Sequence, residues 1–258
     1  MASTTSNRRE QLRRQQEAAK RQKRLNLIIG LSAGGVALAL ITVFIVVMFQ
    51  QFSSRTAIAP QLVPAAANAD ETALVVSDSP APEEAPVVTL YLDYQCPNCR
   101  QFEEFYGDML LTEANAGTWT LQNTTLLFME KQLQNTASTR AAVGAACAAD
   151  LGYYWGYHSE IYQNQEPQEV IGSEGYSDTA LRETIPNTIG ISGDDLTTFQ
   201  ACYDGQATLD FVNAVEKGGY DAGIRSTPTV AVNGKVLDLQ GLSENSPAGL
   251  KQFILDNA

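Results

Sequence analysis

The feature that most narrows what this chain can become is the tetrad Cys96-Pro97-Asn98-Cys99, set between two segments of opposite character. Ahead of it, Pro86-Val87-Val88-Thr89-Leu90-Tyr91-Leu92 is apolar and β-branched, the composition of a buried strand. After it, Phe102, Phe105 and Tyr106 recur at the spacing of one helical face. The tetrad is therefore expected where a strand passes into a helix, with Pro97 in the first turn, where its missing N–H costs nothing. Cys96 then stands at the helix N-terminus among unpaired backbone N–H groups, which favour its thiolate through the helix dipole and through direct hydrogen bonds. Thiolate is the form that attacks and leaves in disulfide exchange. Cys99, one turn later, is close enough to close a small ring and is expected to be the less exposed sulfur. Two other uses of the spacing fit less well. Zinc needs four ligands, and Cys147, Cys202 and His158 are scattered singly with no second paired knuckle. A merely structural disulfide across so short a loop would constrain the unfolded chain little.

A second local signal lies far downstream. Ser226-Thr227-Pro228-Thr229-Val230-Ala231-Val232 leads into Asn233-Gly234 and then Lys235-Val236-Leu237-Asp238-Leu239, a hairpin pattern. Pro228 must sit at the first residue of its strand or on an edge, and a cis Thr227–Pro228 bond there would be purposeful.

Charge is unevenly spread. The chain carries 17 Lys+Arg against 29 Asp+Glu, a net −12. Yet within 1–24, Arg8, Arg9, Arg13, Arg14, Lys20, Arg21, Lys23 and Arg24 face only Glu10 and Glu17, so the remainder is more acidic than the total. Such a body repels phosphate backbones, and no nucleic-acid partner is expected. From Leu27 to Phe49 no charge interrupts LIIGLSAGGVALALITVFIVVMF, enough apolar chain to cross a bilayer as a helix. The basic run before it predicts a cytoplasmic N-terminus. The rival, a cleaved signal peptide, has a shorter apolar region, and the Ala57-Ile58-Ala59 pattern stands well beyond this one. The expected organisation is a cytoplasmic tail over 1–24, a transmembrane anchor over 25–50, a flexible Ala-, Pro- and acid-rich linker over 51–73 and one globular domain over 74–258. Leu74-Val75-Val76 is expected as a short first strand.

C-P-N-C after Y-L-D-Y-Q, with S-T-P-T-V-A-V-N-G downstream, resembles the thioredoxin superfamily and, within it, the DsbA family of extracytoplasmic thiol–disulfide oxidoreductases. The resemblance implies an α/β thioredoxin fold split by a helical insertion at about 135–222, with Ser138–Gln163 as a long first helix. Tail, span and acidic linker are similar to those of membrane-anchored members in Gram-positive actinobacteria. By resemblance, Cys96 is the nucleophile, Cys99 the resolving cysteine and Pro228 a cis-proline beside them, while Thr227, Pro97 and Asn98 meet an extended substrate. No cofactor and no metal is implied. The implied partners are unfolded exported proteins with cysteine thiols, and a membrane redox partner of the DsbB or VKOR kind for reoxidation. The implied activity is to introduce disulfides into exported proteins, with isomerase or reductase action, or a redox-inactive peptide-binding module, as alternatives.

Two positions depart from the family pattern. Asn98, which brings no positive charge to Cys96, stands where strongly oxidising members carry histidine. Leu90 stands where many members bury an acid, so proton transfer would fall to water or to a group such as Asp93 or Glu103. Cys147 and Cys202 are read either as a structural disulfide, favoured by an oxidising compartment, or as two buried free thiols acting as small apolar residues. His158, among Tyr153, Tyr154, Trp155 and Tyr157, reads as the core face of a helix. Asp194 and Asp195 read as helix-capping acids, and the sequon Asn123-Thr124-Thr125 as incidental within a strand.

Overall fold

The computed structural model describes residues 60–77 and 80–258 together with Ile41, Thr42 and Phe44. The chain divides into units 1–57 and 58–258. Among the described residues no helix is long and apolar enough to cross a membrane. The tail at 1–24, almost all of the span at 25–50 and the linker as far as 59 lie outside them.

The centre is a five-stranded sheet in the order β1-β3-β2-β4-β5. Its strands are β1 (Leu74–Val75), β2 (Val87–Leu92), β3 (Thr120–Thr125), β4 (Thr229–Val232) and β5 (Lys235–Val236). β2 and β3 run parallel, joined by helix α1 (Pro97–Asn115); β4 runs antiparallel to β2. Central position explains the uniform apolarity of β2, where Val88 and Leu90 are wholly buried. The Asn233-Gly234 turn joins β4 to β5 with φ of 49° and 78°, the left-handed pair that such a tight hairpin demands.

Between β3 and β4 the chain is helical. It forms α2 (Phe128–Leu133), α3 (Ala137–Ala149), α4 (Tyr154–Gln163), a π-helical turn (Ala180–Thr184) running into α5 (Ile185–Thr188), α6 (Gly193–Asp204) and α7 (Leu209–Asp221). The chain ends on α8 (Pro247–Asp256), capped by the Ser246 hydroxyl, which accepts from Gly249 N–H. α3 is almost entirely small residues, with Ala137, Ala141, Ala145, Ala146 and Ala148 buried, so neighbouring helices approach it closely. Gly144 is the extreme case, since a Cβ there would collide with the Tyr157 phenol, whose Oη donates to Leu181 O at 2.7 Å.

Two expectations need correction. The long helix over Ser138–Gln163 is two helices, broken at 150–153 where Gly152 takes φ of 78° and the Asp150 carboxylate accepts the Ala65 N–H at 2.7 Å. The later part of the linker expected at 51–73 lies against the domain: Leu62 N–H donates to Ala207 O at 2.6 Å, and Ala67 bridges to Leu74. Its composition is that of a linker, but its main chain is paired.

Candidate active site

The register of β2 and β4 decides where the chemistry lies. Tyr91 pairs with Thr229 across antiparallel strands, so the chain leaving β2 toward Cys96 meets the chain entering β4 through Thr227-Pro228 at one end of the sheet. The Thr227–Pro228 bond is cis. Cys96 is the N-cap of α1 and Pro97 its first residue, as the strand-to-helix spacing requires. Cys96 Sγ lies 3.6 Å from the Thr227 carbonyl oxygen. Cys96 and Cys99 are unbonded. Cys96 keeps a narrow opening to solvent at 6% exposure, whereas Cys99 has none. Asn98 is exposed and Pro97 half-buried on the first turn, where an incoming chain would pass.

The two sulfurs have opposite acidities. The Cys96 thiol is lowered to about 6, first by the Cys99 thiol hydrogen-bonding to its sulfur and then, against the cost of burial, by Cys99 N–H, the Thr227 side chain and Asn98 N–H. Cys99 is pushed far up, chiefly by burial and then by its neighbour's charge, although Asp93 N–H points at its sulfur at 3.5 Å. The helix start contributes the backbone N–H groups of Cys99 and Asn98, but the largest lowering comes from the Cys99 thiol.

Behind the sulfurs sits Asp93, fully buried. Burial raises its carboxyl to about 7, despite hydrogen bonds from Met129 N–H, Ser138 Oγ and Gln95 N–H, and the charge of Cys96 raises it further. Those bonds are 2.8, 2.6 and 2.9 Å long. Leu90 is apolar and buried in β2, and the acid whose charge is coupled to Cys96 is Asp93, three residues further on. Ser138, Gln95 and Asn135, which hold that carboxylate in a network, carry no sequence signal of their own. Tyr162 Oη donates to Asp93 O at 3.4 Å; Gln165 Nε2 and Tyr176 Oη both donate to Tyr94 O.

Cys147 of α3 and Cys202 of α6 are joined to each other, with Cα atoms 5.9 Å apart, and so are not partners for the tetrad. Among the described residues no group of three or more His, Cys, Asp or Glu is arranged to hold a metal ion. His158 is buried in the core as its aromatic stripe implies, but its ring also meets Glu103. Asn123 is buried, its Nδ2 donating to Tyr154 Oη at 3.0 Å, which leaves the sequon no outward side chain. Asp194 and Asp195 lie in the first turn of α6 beside N-cap Ser192.

A Cys-x-x-Cys at the start of the first core helix, a cis-proline strand beside it and a helical block between the sheet's two halves define a thioredoxin fold with an insertion. The family model described as Thioredoxin matches residues 81–255, and the chain belongs to that family. Among solved structures it is similar to the thiol-disulfide oxidoreductase MdbA from Actinomyces oris, with TM-score 0.60 and 17% identity over 79% of this chain and 98% of that one. It is also similar to reduced DsbA from Mycobacterium tuberculosis, with TM-score 0.54 and 21% identity over 72% and 91%. Oxidised BdbD from Bacillus subtilis matches at TM-score 0.52 and 16% identity over 77% and 98%. The domain therefore has a DsbA-like fold. No curated protein sequence matches the chain.

The lowered Cys96 pKa makes a prediction for stability. Cys96 titrates at about 6 when folded and near about 8.5 when unfolded. Between these values the unfolded dithiol binds more protons, so the stability of the reduced protein rises with pH across that window and the contribution is lost as pH falls through about 6. The oxidised protein keeps Asp93 and lacks the Cys96 thiol, so it is the reference against which the sulfur's contribution is read. Denaturant unfolding of reduced and oxidised protein should show the difference shifting toward the reduced form by up to about 3 kcal/mol between those pH values. A flat difference would contradict the thiolate assignment.

Proposed function

We propose that this chain is a membrane-tethered oxidase that introduces disulfides into exported proteins, with its catalytic domain outside the cytoplasm. One observation carries the chemistry: an acidic, narrowly accessible Cys96 sulfur stands at a helix start beside the Thr227 carbonyl, over a sealed Cys99. The uncharged span Leu27–Phe49 behind a basic tail supports the tether and its orientation.

In the oxidised protein a substrate thiolate attacks Cys96 Sγ. The Cys96–Cys99 bond breaks, and Cys99 leaves with the electron pair. Its high proton affinity makes it pick up a proton at once, and Asp93, poised at about 7, is the adjacent donor. A second substrate thiolate then attacks the substrate sulfur of the mixed disulfide and expels Cys96 as a thiolate. The low pKa of Cys96 makes it a good leaving group. Two substrate thiols become one disulfide, and the protein retains the two electrons as a dithiol until a membrane partner of the DsbB or VKOR kind removes them. An extended substrate lying along Thr227, Pro97 and Asn98 would pair through its main chain, which ignores side-chain sequence.

Cys99→Ala tests the reading. It removes the sulfur that resolves the mixed disulfide, so exported proteins should accumulate on Cys96 as reductant-sensitive adducts in cells. Absence of adducts would favour a redox-inactive module. Equilibration with glutathione gives the net direction, a potential near about −270 mV marking a reductase instead.

A further inference from the structure

Beneath the cysteines lies a buried ion pair that the exchange steps do not use. Glu103 is one helical turn after Cys99 on α1, so the two side chains share a face with Cβ atoms about 5–6 Å apart. Its Oε2 is 3.4 Å from His158 Nε2 of α4, and both side chains are almost completely enclosed, at 7% and 2% exposure. His158 is the chain's one histidine. Its other nitrogen, Nδ1, faces Tyr94 Oη at 3.0 Å and Tyr154 Oη at 3.4 Å. With Nδ1 turned to these two hydroxyls, Nε2 is the ring nitrogen that faces Glu103. Trp155 and Tyr154 stack on the imidazole, and Tyr94 and Tyr162 meet it edge-on. Among the described residues neither Glu103 Oε1 nor His158 Nε2 has a hydrogen-bond partner, so the contact rests on the 3.4 Å approach of Oε2 to Nε2. Gly107 makes room for it, since a Cβ there would come within 2.6 Å of Glu103 Oε2.

A charge so costly to bury must answer to the charges around it. Facing the pair are Tyr94 from the segment after β2 and Tyr154, Trp155 and Tyr162 from α4. The three phenols are held protonated by burial, and each also feels the charge of Glu103; Tyr162 feels that of Cys99 as well. Reduction of the active-site disulfide takes up two electrons and, near neutral pH, one proton, leaving a Cys96 thiolate over a Cys99 thiol. The site therefore gains one negative charge, one turn of helix away from a buried carboxylate.

We propose that Glu103 and His158 are a charge-coupled pair of positioning residues that set the reduction potential of Cys96 and Cys99. Glu103, on the cysteine helix itself, opposes the thiolate. His158, behind it, compensates Glu103 and limits that opposition. The inference rests on the dithiol–disulfide reading of the tetrad.

The experiment is a two-residue cycle on the full-length protein, reading the equilibrium constant with glutathione and the midpoint of Cys96 thiolate absorbance. Glu103→Gln keeps the shape and removes the anion. It should lower the Cys96 midpoint and move the equilibrium about tenfold toward the reduced protein, equivalent to about 30 mV for a two-electron couple. His158→Gln should move both readings the opposite way while Glu103 is present, and should move neither in the Glu103→Gln background. Opposite signs with full non-additivity are not produced by two packing defects. If Glu103→Gln does not fold, His158→Gln alone decides: a weaker oxidant supports the pair, and an unchanged or stronger one overturns it. Wild-type exchange with glutathione alongside a Glu103→Gln constant within twofold of wild type also overturns it. A wild-type protein that does not exchange at all defeats the functional reading instead.

Discussion

Replacing Asp93 by Asn is expected to cut the rate of disulfide transfer to a reduced substrate about a hundredfold, the low end of what positioned acid–base groups contribute. The Cys99 sulfur leaves into a site without solvent, and Asp93 is the neighbouring group with a proton to give near neutral pH. Asn offers none. The same substitution should lower the Cys96 midpoint below about 6, because the charges of Asp93 and Cys96 oppose each other. Stability should move differently. With a folded value of about 7, raised from the ordinary 3.8, Asp93 binds more protons folded than unfolded across that interval. Wild-type stability must then fall as pH rises from about 4 to about 7, and the Asn variant should lose that slope. Its loss comes elsewhere: one amide N–H must face either Met129 N–H or the Ser138 and Gln95 donors, a cost of about 1–3 kcal/mol. Relief of the buried charge is of similar size at pH 8, so the variant should unfold at an unchanged or higher denaturant concentration while turning over poorly. Turnover within about threefold of wild type, measured by transfer to a reduced peptide, would remove Asp93 from the mechanism.

That residue also marks how far sequence reading reaches. Cys96, Cys99, Thr227 and Pro228 were legible because the constraints on them are local: a strand, a proline at a helix start, a hairpin. Their meeting at one sheet end follows from the antiparallel pairing of β2 with β4, which the family resemblance implied and local pattern alone does not specify. Asp93 was visible only as an acid near the motif, because its acidity depends on burial by residues as distant as Ser138. His158 read as core, and it is core; its ion pair with Glu103 joins residues on two helices of different parts of the fold. The break at 150–153 escaped because periodicity continues on both sides, while one glycine at positive φ and one contact from Ala65 turn the chain. Residues 60–73 escaped for a similar reason, since backbone hydrogen bonds leave no trace in composition.

Removing the second cysteine pair by Cys147→Ala with Cys202→Ala should give the largest loss of stability without touching exchange. The bond ties α3 to α6 across 55 residues of sequence. Closing a loop of that length restricts the unfolded chain by about 4 kcal/mol in the entropy model, and native bonds of this kind commonly deliver about 2–4. For a domain of this size that is a fall in melting temperature of about 6–12 °C. Redox behaviour should separate cleanly from it. Cys147 lies near the C-terminal end of α3, whereas Ser138, which holds the Asp93 carboxylate, lies at its N-terminal end, about 13 Å away along the axis. The strands and α1, not the insertion, fix Cys96 against Thr227. The glutathione equilibrium constant of the double variant should therefore stay within about twofold of wild type at a temperature where both are folded. A constant that falls together with the melting temperature would show the reverse. The insertion would then transmit its rigidity through α3 to Ser138, and the sulfur chemistry would depend on a disulfide that never exchanges.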